Sequence, residues 1–124
     1  MTVRTNYNHT PGLYFITFTC FNWLPLFEKT NAYDTIYKWF QSLREKKISV
    51  TAYVIMPNHL HCILFLPNES YSLNTIISNA KRFMAYEIIN RLKDNNDRTM
   101  IEKLRQAISE KEKAKGQLHK VFRS

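Results

Sequence analysis

The segment Tyr53-Val54-Ile55-Met56-Pro57-Asn58-His59-Leu60-His61-Cys62-Ile63-Leu64-Phe65-Leu66-Pro67 constrains this chain more than any other. It reads as two strands folded back on each other at Pro57-Asn58. Proline presets φ at the first central turn position, and asparagine tolerates the left-handed region at the second. Successive side chains of a strand point to opposite faces. Leu60, Cys62, Leu64 and Leu66 therefore share one wholly apolar face, which reads as core. His59, His61, Ile63 and Phe65 share the other, which opens with two imidazoles beside the turn.

Two histidines at i and i+2 on one strand aim both rings at one region, on the most rigid part of a sheet. Imidazole suits first-row divalent metals, and with few protein ligands the open positions accept water or phosphate oxygens. The plainer reading is a pair of half-buried polar residues near a strand start, because an isolated His-x-His is a weak motif.

Around the hairpin, Tyr14 to Phe21 alternates aromatic and β-branched residues and is predicted as a strand. Thr17 and Thr19 share a face that either meets a ligand or reflects propensity alone. The loop 22–28 carries Trp23 and Phe27, aromatics that either stack on bases or cover a core edge. Thr30 or Asn31 caps a helix running to about Lys46, with Tyr33, Ile36, Tyr37, Phe40 and Leu43 as its apolar stripe and Trp39 off centre. Ile48 to Met56 and Leu60 to Leu66 form the hairpin. Ser72 caps a long helix to about Lys93, burying Leu73, Ile76, Ile77, Ala80, Phe83 or Met84, Ile88 and Leu92. Lys81 and Arg82 flank that stripe, and Tyr86 lies one turn beyond Arg82. A further helix spans about Thr99 to Lys113, and Gln117 to Phe122 is predicted as a last short strand. The order β-α-β-β-α-(α)-β, with two main helices over an antiparallel sheet, fits a single α+β domain over 1–124. It is a two-layer sandwich of ferredoxin-like type with its helices on one face.

The formal net charge of the 124 residues is +8. Residues 98–124 hold eight basic and three acidic side chains, so the excess is concentrated near the end. Such a balance favours a polyanionic partner, because neutralising phosphates releases counterions. Cys20 and Cys62 both fall in strand-like apolar runs and read as small buried hydrophobes of a reducing compartment. The chain shows neither a cationic start followed by an apolar run nor a segment long enough to span a bilayer. A cytoplasmic protein without a membrane partner is expected.

The run Met56-Pro57-Asn58-His59-Leu60-His61, with the apolar strand after it, resembles the signature of the single-tyrosine HUH transposases, including the REP-associated ones. Tyr14-Phe15-Ile16-Thr17-Phe18-Thr19 and the helix carrying Lys81-Arg82-Phe83 also match. The resemblance implies a ferredoxin-like domain with the His59-Leu60-His61 strand central in its sheet. It implies an endonuclease and strand transferase acting on single-stranded DNA beside a hairpin. His59 and His61 would be ligands of Mg²⁺ or Mn²⁺, Lys81 and Arg82 would contact DNA, and a tyrosine would form a 5′-phosphotyrosine link. It leaves both monomer and homodimer open. In the family that tyrosine sits on a helix beyond the last strand, within a run this sequence does not contain. Three explanations follow. The chain lacks the nucleophile's helix, a partner chain supplies it, or Tyr86 acts, aided by Lys81 and Arg82. Glu87 and His119 are candidates for a third metal ligand. Two other functions stay open: a DNA-hairpin-binding module without chemistry, and a metal-dependent phosphodiesterase using water.

Overall fold

The computed structural model describes residues 10–123. Three strands, β1 (Gly12–Thr19), β2 (Ser49–Met56) and β3 (His59–Leu66), form one antiparallel sheet in the order β1-β3-β2. Among the described residues there are five α-helices, α1 (Leu26–Thr30), α2 (Tyr33–Glu45), α3 (Leu73–Asp94), α4 (Arg98–Gln106) and α5 (Glu110–Ala114), and one 3-10 turn at Phe21–Trp23. The architecture is the expected α+β, ferredoxin-like sandwich, and the His-x-His strand is central.

Alternation sets the layers. Ile16, Phe18, Leu60, Cys62, Leu64 and Leu66 are buried beneath the helices, along with Ile36, Leu43, Ile77, Met84 and Ile88. Each large apolar side chain removed from water contributes about 1.5–3 kcal/mol. Because paired residues share a face, the register Thr17↔His61, Phe15↔Ile63 and Val54↔His61 places these residues together on the opposite face. No described helix is long and apolar enough to cross a membrane.

Several expectations shift. The first strand is Gly12–Thr19, two residues earlier than the Tyr14–Phe21 predicted, because Asn22 and Trp23 adopt left-handed backbone (φ 53° and 56°) and turn the chain away. The helix expected from Thr30 or Asn31 is α2 and begins at Tyr33, while a short helix, α1, takes up the end of the predicted loop. Asn31, at φ 51°, ends α1 in the left-handed conformation, and the Thr30 hydroxyl donates to the Leu26 carbonyl within α1 instead of capping α2. The apolar stripe of α2 is rotated. Trp39 is buried, while Tyr37 is half exposed and meets the edges of Phe40 and Tyr53. On α3, Met84 takes the core position and Phe83 is exposed. The last helical stretch also divides, at Ser109, whose hydroxyl accepts from the Glu112 N–H while Glu112 accepts from the Ser109 N–H. That reciprocal cap is legible as Ser-x-x-Glu. The predicted final strand is reduced to one bridge, Cys20↔Phe122.

Arg91 fastens α3 to the α1–α2 junction. Its guanidinium donates to both Asp34 carboxylate oxygens (2.8 and 2.9 Å), to Glu87 (3.1 Å) and to the carbonyls of Thr30 and Asn31 (3.3 and 2.8 Å), which the end of α1 leaves without helical partners. Arg91→Ala is expected to cost about 1–3 kcal/mol in urea unfolding, since it strands several acceptors at once. The Arg91 hydrogen bond, ahead of every other influence, holds the Asp34 carboxyl below its ordinary value. A depressed carboxylate stabilises the fold above its unfolded pKa and loses that contribution as pH falls through the folded one. The difference between wild type and Asp34→Asn should therefore persist from neutral pH down to the usual carboxylate range, then shrink on further acidification.

Candidate functional site

His59 opens β3 directly after the turn and His61 follows on the same face, so the two rings stand 4.7 Å apart between centroids, edge to face. Each is anchored through Nδ1. The Asn58 side chain bridges two elements: its Nδ2 donates to the Trp23 carbonyl at 3.3 Å, and its Oδ1 lies 2.7 Å from His59 Nδ1. A side-chain carbonyl oxygen only accepts, so His59 Nδ1 carries the proton and Nε2 keeps its lone pair. Thr17, opposite His61 on β1, places Oγ1 2.8 Å from His61 Nδ1. The hydroxyl can donate or accept there, and His61 takes the same tautomer as His59 when it accepts. Neighbours of this kind orient metal-binding imidazoles. Burial first, and the adjacent His61 second, lower the pKa of His59, which keeps the ring neutral at pH 7 as coordination requires.

Asn58 earns its place by its side chain. Its φ is negative, so the turn does not use the left-handed tolerance expected of it. Thr17 resolves as the threonine that meets the site, and Thr19 is buried. Of the loop aromatics, Phe27 is fully buried, whereas Trp23 is 54% exposed. The indole and the His59 imidazole stand edge to face with centroids 5.7 Å apart, and the Arg123 guanidinium lies over the indole, 5.7 Å from its centre. Exposed Leu13, Phe15, Val54, Met56 and Phe65 surround the pair on the open face, with Phe15 packed 5.6 Å from His61.

Lys81, Arg82 and Tyr86 gather elsewhere. They line a groove of about 700 Å³ between α3 and residues 115–123, together with Lys93, Lys115, His119 and Arg123. Lys81 Nζ donates to the Arg123 carbonyl at 3.3 Å, and burial lowers its pKa. Tyr86 is 71% exposed there, on the helix layer, while the imidazoles stand on the other face of the sheet. Glu87 pairs with Arg91, and His119 lines the groove. Among the described residues no group of three His, Cys, Asp or Glu converges, so neither candidate joins His59 and His61 as a third ligand.

Arg123 links the two regions, since its carbonyl closes the groove at Lys81 and its guanidinium covers Trp23 beside His59. Sequence reading missed Arg123 and the side-chain role of Asn58, and it raised Thr17 only as one of two threonines on a face. Thr17 faces His61 across 44 residues, and only the strand register reveals it.

No protein-family model matches the chain, and no curated protein matches it. Among solved structures, the fold is similar to that of a REP-associated tyrosine transposase bound to a REP hairpin, with a TM-score of 0.55 and 21% sequence identity. The match covers 69% of this chain and 52% of the other, so this chain spans about half of that protein's length. The likeness is one of fold.

Proposed function

We propose that this domain holds a phosphodiester of single-stranded, hairpin-bearing DNA at His59 and His61 for transesterification by a tyrosine, as a transposase does. The observation that carries this reading is the imidazole pair, adjacent on a rigid central strand, with each Nδ1 engaged by a neighbouring side chain. Of the two expected ions, Mn²⁺ suits a pair of imidazole nitrogens with a phosphate oxygen, whereas Mg²⁺ would take most of its ligands from phosphate and water oxygens. His59 and His61 would hold such an ion, which would withdraw charge from the phosphoryl oxygens. His59 and His61 supply the ligands, Asn58 and Thr17 hold their orientation, and the excess positive charge draws the strand in. In the proposed reaction a tyrosine oxygen replaces the 3′ oxygen at phosphorus. The phenol gives up its proton to solvent and the leaving 3′ oxygen takes one up, so that a 5′-phosphotyrosine and a free 3′-OH result with no net change in protons. The link keeps the bond energy for rejoining.

The position of Tyr86 on the helix layer favours a nucleophile from outside residues 10–123 or from a second copy. The same placement favours a second reading, a module that grips DNA hairpins without cutting them. Covalent trapping separates the two. The protein is mixed with a labelled single-stranded hairpin oligonucleotide and Mn²⁺, with and without EDTA, and run on a denaturing gel. A metal-dependent shifted band supports transesterification, and its loss in Tyr86→Phe would return Tyr86 to the role of nucleophile. A native-gel shift without a covalent band supports the binding module. Free product ends without an adduct would point to hydrolysis by water.

The groove cations have their own test. Lys81→Ala combined with Arg82→Ala is expected to weaken hairpin binding and to reduce the slope of log affinity against log salt by about 1.4, the loss of two phosphate contacts on a single strand. Lys81 also holds the Arg123 carbonyl. Arg82→Ala alone, with a drop of about 0.7, is the cleaner comparison. An unchanged slope in both would show that this helix does not touch phosphate.

A further inference from the structure

The backbone at Asn22 and Trp23 is unusual in placing two consecutive residues, neither of them glycine, in the left-handed region. Such conformations persist where surrounding structure enforces them, and they cluster at functional sites. Core packing does not account for this one, since Phe27 fills the core beneath the loop while Trp23 stays 54% exposed. Trp23 is nonetheless held from several directions. Its N–H donates to the Cys20 carbonyl at 3.1 Å, and its own carbonyl accepts from Asn58. Its ring stands edge to face with the His59 imidazole, and Arg123 lies over it. Arg123 is itself placed by its N–H to the Thr19 carbonyl (2.9 Å) and by Lys81 on its own carbonyl. The loop therefore presents a half-exposed indole beside the His59 imidazole and next to a guanidinium. These are complements to the two halves of a nucleotide, a flat base and a charged phosphate.

We propose that Trp23 is the stacking platform for the nucleobase adjoining the phosphate held at His59 and His61, and that Arg123 meets the neighbouring backbone charge. The proposal rests on the nucleic-acid reading above and adds to it a binding residue that acts on bases. Stacking of this kind tolerates any sequence, because every base has a π face. Trp23 thus grips the strand at the reacting phosphate and leaves sequence selection to other contacts.

The chain carries its own reporter, as it contains two tryptophans and Trp39 is buried. The full chain is titrated without metal against two probes, single-stranded dT12 and a twelve-unit abasic sugar-phosphate strand of equal charge. Binding is read by tryptophan emission and by fluorescence anisotropy. With the wild type, dT12 is expected to quench emission and to bind more tightly than the abasic strand. Trp23→Ala should lose the quench and weaken dT12 binding about tenfold, with abasic binding unchanged, and Trp23→Phe should recover most of the loss. The buried Trp39 emission, unchanged in both variants, certifies that they are folded. Equal binding of dT12 by wild type and Trp23→Ala overturns the proposal, as does an equal loss on both probes. If wild type binds neither strand, the nucleic-acid reading falls as well. If the Trp23 effect holds while Mn²⁺ fails to bind, the platform stands and the metal reading alone is lost.

Discussion

His61→Ala is expected to weaken Mn²⁺ binding more than about 100-fold while leaving the fold within about 1 kcal/mol of wild type. The metal term is large because two imidazoles are the only His, Cys, Asp or Glu side chains the described structure offers at this point. Even a change one contact removed from a metal costs about 10–100-fold in affinity, and removing a ligand costs more. Asn58→Ala, which takes away only the acceptor that orients His59, should fall within that smaller range. The stability term is small because His61 lies on the open face and gives up a single part-buried hydrogen bond, to Thr17. Isothermal titration with Mn²⁺ measures the first and urea unfolding the second. Wild-type affinity in His61→Ala would remove the metal site, and any cleavage seen would then need another cause.

Leu60→Ala, one residue away, is expected to do the reverse. Leu60 is 0% exposed and pairs with Phe18 on one side and Ile55 on the other. Its truncation leaves a cavity between a tightly packed sheet and the helices above it, and such changes cost about 2–5 kcal/mol. Domains of this size are stable by about 5–15 kcal/mol, so the loss is a large share of the total. The urea midpoint should fall steeply, while Mn²⁺ affinity, measured where the variant is still folded, stays near wild type. Neighbouring residues with opposite phenotypes are what a period of two demands. Comparable destabilisation by both variants would mean that the face assignment of β3 is wrong.

The hairpin was legible because its signals are local and agree with one another: a Pro-Asn turn, an apolar face and a polar one. Ser72 was legible for the same reason, and its hydroxyl does accept from the Thr75 N–H. Trp39 and Tyr37 were not, because a helical period allows a stripe to rotate by one position, and tertiary packing decides which aromatic goes inside. Asn31 was misjudged because asparagine serves both a helix start and a left-handed helix end. The imidazole pair was visible, whereas its supports were not. Thr17 looks like any strand threonine until the register sets it against His61, and Arg123 reaches Trp23 only through the folded return of residues 115–123.

The strand order also carries a consequence for how the molecule is made. β2 and β3 are joined by a tight turn, so their pairing is local and fast. β1 must find β3 across some forty intervening residues, with Thr17 and His61 separated by 44. Closing the longer loop costs more chain entropy, and non-local pairings of this kind slow folding. The seam that closes late is the one where Thr17 meets His61 and where the Cys20 N–H reaches the Asn58 carbonyl. A nascent chain can therefore own both histidines, on a formed hairpin, before Thr17 holds the His61 ring and before the Trp23 carbonyl fixes the Asn58 side chain that holds His59, so the geometry of the pair is completed by the last docking event.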